Sequence, residues 1–145
     1  MCTALGKDES GVALRNSLEK DGVEVCGQER EGDRTPQYVA MMHDDGNLVA
    51  AIADTEALDS ATFSTLFPSS HPSLASPSVV VAEANLSESI LTDLCSHLLS
   101  QPTPTPLFLD PVGPSKSARI MSPSILGVTA LLAPDSYELH AMAST

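Results

Sequence analysis

The sequence predicts an α/β fold built on a parallel sheet. Three observations carry that prediction. Residues 79–82 (VVVA), 107–109 (LFL) and 130–133 (ALLA) are short, wholly apolar runs, as expected of strands covered on both faces. Helical periodicity separates them, and strands alternating with helices imply right-handed parallel crossovers. Each run ends abruptly in polar residues: Glu83 and Asn85, Asp110, and Asp135. Parallel strands place such ends on one edge of a sheet, the edge at which open α/β sheets bind ligands.

Taken in order, the chain opens as a strand already under way, with Thr3-Ala4-Leu5 followed by a turn at Gly6-Lys7-Asp8. Such an opening suggests that an N-terminal part is missing. Residues 8–21 read as a helix capped by Asp8 or Ser10 and stopped by Gly22. Val12, Leu14 and Leu18 are expected to face inward, with Arg15, Glu19 and Lys20 facing water. Val23-Glu24-Val25 alternates as a short strand, and residues 28–34 read as a charged turn. Two apolar runs, residues 38–42 and 48–53, flank Asp44-Asp45-Gly46-Asn47, a strong hairpin signal. These runs are too continuously apolar for a one-sided hairpin. Such a hairpin either lies inside a sheet or covers something, for instance a partner subunit.

Residues 57–67 have the makings of a helix, and residues 69–77 (SSHPSLASP) those of a proline-containing loop. Residues 87–99 form the best-patterned helix. Ser87 is the N-cap, and Ile90, Leu91, Leu94, Cys95, Leu98 and Leu99 make one apolar stripe. Residues 101–106 (QPTPTP) form a stiff connection. A short helix can begin at Pro114 or Ser115, and a final helix follows the cap at Pro134-Asp135-Ser136.

Composition narrows the function. At 145 residues, 42% hydrophobic and 18% charged, the chain is a folded domain rather than a disordered one. Its net charge is −12, and residues 35–115 contain neither Lys nor Arg, so it offers no basic stripe for nucleic acid and no polybasic membrane patch. No apolar run approaches the ~20 residues of a bilayer span. Three scattered cysteines, Cys2, Cys26 and Cys95, without a CxxC pair or a signal peptide, point to a reducing, cytoplasmic setting.

There is no phosphate-binding GxxxxGK loop, no GxGxxG, no GxSxG elbow and no metal-ligand spacing among the histidines. The chemistry therefore gathers at the strand exits. Asp135 and Glu138 lie three apart at a helix start. They serve either as a cap or as a carboxylate pair holding hydrated magnesium near phosphate. Lys116 and Arg119 share a helical face, either as solvated charge or as phosphate contacts.

At these residues the chain resembles the PfkB (ribokinase-like) carbohydrate kinase family, and within it the pseudouridine kinase branch. LGKDESGVALRNSLEKDGVEV (residues 5–25) is similar to the family's GxDxxGxxLxxxLxxxGV segment. RTPQYVAMMHDDGNLVAAIAD resembles its lid hairpin, here about residues 35–54, which begins with a Thr and closes over the sugar. VVVAEANLSE resembles the strand end that follows. LFLDPVGPSKSARI resembles the branch's DPVSxxK stretch, with Gly113 where Ser is usual. LLAPDSYEL resembles the PNxxE element, with Asp135 in place of Asn.

The resemblance implies a ribokinase-like parallel sheet with flanking helices and a β-hairpin lid, present here as an incomplete domain. It implies ATP- and Mg2+-dependent phosphorylation of a sugar or nucleoside hydroxyl, in this branch pseudouridine to its 5′-phosphate. Thr35 and Asn85 match sugar-side positions. Asp135 and Glu138 match the magnesium and phosphate element, and Asp110 and Lys116 match positions on the phosphate side. The continuously apolar runs of that hairpin also make a homodimer joined through it an expectation. The family's Gly-Gly…Asn motif would precede Met1, and its Gly-Ala-Gly-Asp motif, which supplies the anion hole and catalytic Asp, would follow Thr145. No catalytic residue is therefore assigned within this chain, which is expected to be inactive alone and to expose an apolar sheet edge. The alternatives are a non-catalytic α/β binding or dimerisation module, or an unrelated α/β interaction domain.

Overall fold

A computed structural model of the chain describes residues 1–68, 71 and 75–145, with the Arg30 side chain left aside. Most of the loop expected at residues 69–77 lies outside the described residues. The chain divides into two compact units, Met1–Pro68 and Ser69–Thr145.

In the first unit, β1 (Cys2–Gly6) pairs in parallel with β2 (Cys26–Arg30), and α1 (Glu9–Lys20) connects them. Asp8 caps α1 through its carboxylate, and Gly22 provides the left-handed turn out of the helix at φ 78°. The second strand is not the expected Val23–Val25. It is CGQER, three residues on, where a charged turn was expected to begin. Pairing with β1 decides the matter: Cys2 to Gly6 sit opposite Cys26 to Arg30 in unbroken register, and this outweighs the weak local alternation of Val-Glu-Val.

The expected inward face of α1 is also corrected. Val12 and Leu14 are exposed, and Gly11 is the buried position. Arg15 does not simply face water; its guanidinium bonds the Val25 carbonyl and the Glu29 carboxylate. The single helix expected at 57–67 is two short ones, α2 (Glu56–Asp59) and α3 (Phe63–Leu66), because Thr62 and Thr65 form a capping box that starts a new helix. Ala4, Leu5, Ala57, Ala61 and Leu66 are buried there.

The hairpin forms as expected: β3 (Gln37–Met42) is antiparallel to β4 (Leu48–Asp54), with a bulge at Met41/Met42 and Gly46 at φ 85° in the turn. It is a two-stranded sheet of its own. Tyr38, Val39, Met41, Leu48, Val49 and Ile52 are all more than half exposed, Ile52 most of all at 77%.

The second unit holds a three-stranded parallel sheet in the order β5 (Val80–Glu83), β6 (Leu107–Asp110), β7 (Thr129–Leu132). The intervening elements are α4 (Glu88–Ser100), α5 (Pro114–Ser117), a 3-10 turn (Ala118–Ile120) and α6 (Pro123–Leu126). α7 (Ser136–Ala143) follows the last strand. Ser87 caps α4, and its stripe of Ile90, Leu91, Leu94, Cys95 and Leu98 is buried. Leu99, expected in that stripe, is exposed, in the last turn before Gln101 leaves the helix. Alternation along the strands buries Ala82, Leu107 and Leu109 on one face. The other face carries Val81, Phe108 and Leu131, which are register neighbours and solvent-accessible.

Candidate functional site

Two polar clusters stand out, one in each unit. In the first, β1 ends at Gly6 and the chain turns into α1 through Asp8. One Asp8 oxygen accepts the Gly11 amide at 2.8 Å and the Thr35 hydroxyl at 2.5 Å, and the other accepts the Thr35 amide at 2.9 Å. The Thr35 hydroxyl in turn accepts the Gly6 amide at 3.1 Å. Thr35 is thus buried, and its hydroxyl is committed within the protein. Glycine is required on both sides of it. A Cβ on Gly11 would lie 2.7 Å from the Thr35 Oγ1, and one on Gly6 2.6 Å from the Thr35 amide nitrogen. The sequence marks Asp8 only as a helix cap. That it also holds Thr35 was not legible, because the bond spans 27 residues.

The bond from the Thr35 hydroxyl, then those from the Thr35 and Gly11 amides, lower the Asp8 carboxyl from 3.8 to about 2. A folded value below the ordinary one means that this contribution to stability is complete above about pH 4 and disappears as pH falls toward 2. Acid titration followed by circular dichroism should therefore show an unfolding step in that window. Asp8→Asn should flatten it; an unchanged acid limb would remove Asp8 as its source.

The second cluster lies at the carboxyl edge of β5, β6 and β7. Glu83 and Asp110 are register partners at adjacent strand ends, joined by the Ala84 amide bonding the Asp110 carbonyl at 2.9 Å. Asn85 donates to Glu83 at 2.8 Å and accepts from the Lys116 ammonium. Arg119 bonds the carbonyls of Ala84, Asn85 and Leu86 at 3.2, 3.1 and 3.5 Å, so at least one of its nitrogens holds the backbone that presents Asn85. Asp110 accepts the Val112 amide at 2.8 Å. Val112 sits at φ 68°, a conformation that costs a β-branched residue energy and is stored where surroundings over-determine it. No sequence signal marked that turn as strained.

After β7, Asp135 and Glu138 form a reciprocal capping box on α7. One Asp135 oxygen accepts the Tyr137 and Glu138 amides at 2.8 Å, and Glu138 Oε2 accepts the Asp135 amide at 2.8 Å. Asp135 is exposed and Glu138 buried. The α5 helix that carries Lys116 packs against α7. The edge therefore gathers Asn85, Lys116, Asp110, Asp135 and Glu138, while Thr35 belongs to the other cluster.

Among the described residues no group of three or more His, Cys, Asp and Glu could hold a metal ion. The cap uses one oxygen of each carboxylate, leaving the second oxygen of Asp135 and of Glu138 outside it. Two hard oxygen donors fit a hydrated Mg2+ shared with phosphate, which needs only one or two carboxylates, and do not fit an all-protein cage.

A family model described as pfkB family carbohydrate kinase matches residues 1–145. A search of curated proteins found no match. Among solved structures, a carbohydrate kinase from Agrobacterium tumefaciens is similar at 25% identity with a TM-score of 0.79, over 98% of this chain and 45% of that one. A ribokinase from Giardia lamblia shares the fold at 18% identity and a TM-score of 0.70, over 98% of this chain and 43% of that one. The chain spans less than half the length of these solved relatives.

Proposed function

Because this chain belongs to the pfkB family of carbohydrate kinases, we propose that it is part of an ATP-dependent kinase phosphorylating a nucleoside, pseudouridine, at its 5′-hydroxyl, and that alone it does not turn over. The observation that carries the reading is the polar edge of β5, β6 and β7. There Asn85 is held by Glu83 and Lys116, beside Asp110 and the Asp135–Glu138 cap. In this reading Asn85 takes the sugar side, and Asp110, Lys116, Asp135 and Glu138 the phosphate side. The DPVGPSK stretch that shapes this edge supports the pseudouridine branch.

Thr35 acts on the sugar side by position: its buried hydroxyl anchors the root of the hairpin to the turn after β1. Mg2+, when bound, would neutralise charge on the transferring phosphate, and Asp135 and Glu138 would hold its water shell. Phosphoryl transfer depends on positioning and charge stabilisation, and neither a proton acceptor for the hydroxyl nor an anion hole is assigned here. The scattered spacing of Cys2, Cys26 and Cys95 supports a cytoplasmic setting. Among the described residues no helix is long and apolar enough to cross a membrane.

The test begins with the transcript read through both ends, followed by ATP-consumption assays on the longest reading frame containing these residues. Pseudouridine should be the preferred acceptor. A higher kcat/KM for ribose or another sugar would overturn the branch assignment, and consumption with no acceptor at all would overturn the kinase reading.

The bare hairpin favours a second reading that is compatible with the first: a homodimer formed through β3 and β4, whether or not the chain catalyses anything. Burying one isoleucine contributes about 1.5 to 3 kcal/mol. Ile52→Lys should therefore weaken self-association, measured by sedimentation, by at least about tenfold, with the thermal midpoint of the dilute protein unchanged. Equal association of both proteins would exclude this surface.

A further inference from the structure

The first unit carries a pair of cysteines that the kinase reading does not use. Cys2 and Cys26 are register partners on the parallel strands β1 and β2, so their side chains leave the same face. Their sulfurs lie 3.1 Å apart, in thiol–thiol hydrogen-bond contact, and both residues are half-buried, within reach of a small reagent. The strands are held close at this point. The Cys26 amide bonds the Met1 carbonyl at 2.8 Å, and the next residue, Gly27, lets the backbones approach so nearly that a Cβ there would overlap the Thr3 carbonyl oxygen. Neighbouring strands run about 4.8 Å apart, inside the range of Cα separations, about 4.4 to 6.8 Å, that a disulfide spans.

We propose that Cys2 and Cys26 form a reversible cystine site, oxidised by a small-molecule disulfide to a bond that pins β1 to β2. In the first step one cysteine, as thiolate, attacks the small disulfide. A protein–reagent S–S bond forms, the reagent's own S–S bond breaks, and one reagent thiolate leaves. In the second step the neighbouring cysteine loses its proton and attacks the protein-side sulfur, closing the Cys2–Cys26 bond and releasing the second reagent thiolate. The protein gives up two electrons and two protons, and the reagent gains them.

Burial, then the hydrogen bond and nearby charge of Cys26, push the Cys2 thiol up to about 12. The Cys2 thiol therefore stays protonated at neutral pH and exchanges slowly. Cys95, buried in α4 of the other unit, is the internal control.

The experiment is equilibration of this chain in mixtures of oxidised and reduced glutathione, followed by acid quench and intact-mass and peptide mapping. The wild type is expected to lose two hydrogens, to yield a Cys2–Cys26 cross-linked peptide with Cys95 free, and to return to the dithiol with excess reduced glutathione. Hydrogen exchange should slow across both strands in the oxidised form. Cys26→Ser should stop at a glutathione adduct on Cys2, and Cys95→Ser should behave as the wild type. The proposal is overturned if the wild type stops at an adduct, if the cross-link includes Cys95, or if all three thiols stay free under oxidising mixtures.

Discussion

Gly27→Ala should destabilise the first unit by about 3 kcal/mol or more, from overpacking and backbone strain together. Gly27 sits at φ 121°, where a side chain is strained whatever the space. The space is also missing: the added Cβ would overlap the Thr3 carbonyl oxygen and lie 2.9 Å from the Thr3 amide nitrogen. Both obstacles are backbone atoms of β1, so relief requires the two strands to part. Parting them breaks the register from Cys2–Cys26 to Gly6–Arg30 and loosens Gly6 under the Thr35 hydroxyl. Denaturant unfolding should show the lower midpoint, with hydrogen exchange locating it in β1 and β2. A loss below about 1 kcal/mol would mean that the strands separate cheaply. Gly32→Ala is the comparison. It also has a positive φ, at 89°, but nothing lies near its Cβ, so it carries only the strain.

Leu91→Ala should be comparably costly in the second unit. Leu91 is fully buried at the end of the first turn of α4, on the face it shares with Ile90, Leu94, Cys95 and Leu98. Removing a buried leucine side chain costs about 2 to 5 kcal/mol, depending on how far the surroundings collapse. Little collapse is expected, since α4 is capped at Ser87 and its C-terminal end runs into the proline-rich connection. Leu99→Ala, on the same helix but exposed, should change stability by less than about 0.5 kcal/mol. Equal effects from the two substitutions would contradict the assigned face.

The second unit was largely legible in the sequence, and for a physical reason. Its strands are consecutive and parallel, separated by one well-patterned helix and short capped turns, so local periodicity and global packing agree. Ser87, Asp135 and Glu138 announce their helix starts by type and spacing. What the sequence concealed was the traffic between strand ends. Lys116 meets Asn85 across 31 residues, and the Arg119 side chain closes on carbonyls 33 to 35 residues away.

The first unit was harder to read. Cys26–Arg30 lacks the apolar alternation that marks a strand, and only its partner β1 makes it one. Val12 and Leu14 have the residue types of an inward helical face, yet the helix instead turns Gly11 toward the Asp8–Thr35 cluster. Thr35 itself was singled out by resemblance as a sugar-side residue. The fold explains its type from within, as a hydroxyl that both donates and accepts in a buried turn.

That anchoring gives the hairpin a mechanical character. β3 begins two residues after Thr35, and both strands are unsupported on their faces up to the turn at Gly46. Six or seven extended residues make a ribbon about 20 Å long. It is a cantilever fixed at one end, and a tilt of about 10° at its root carries the tip through roughly 3 to 4 Å. The hydrogen bonds around Asp8 hold Thr35 at that root, while Asp44 and Asp45 stand at the opposite end of the ribbon.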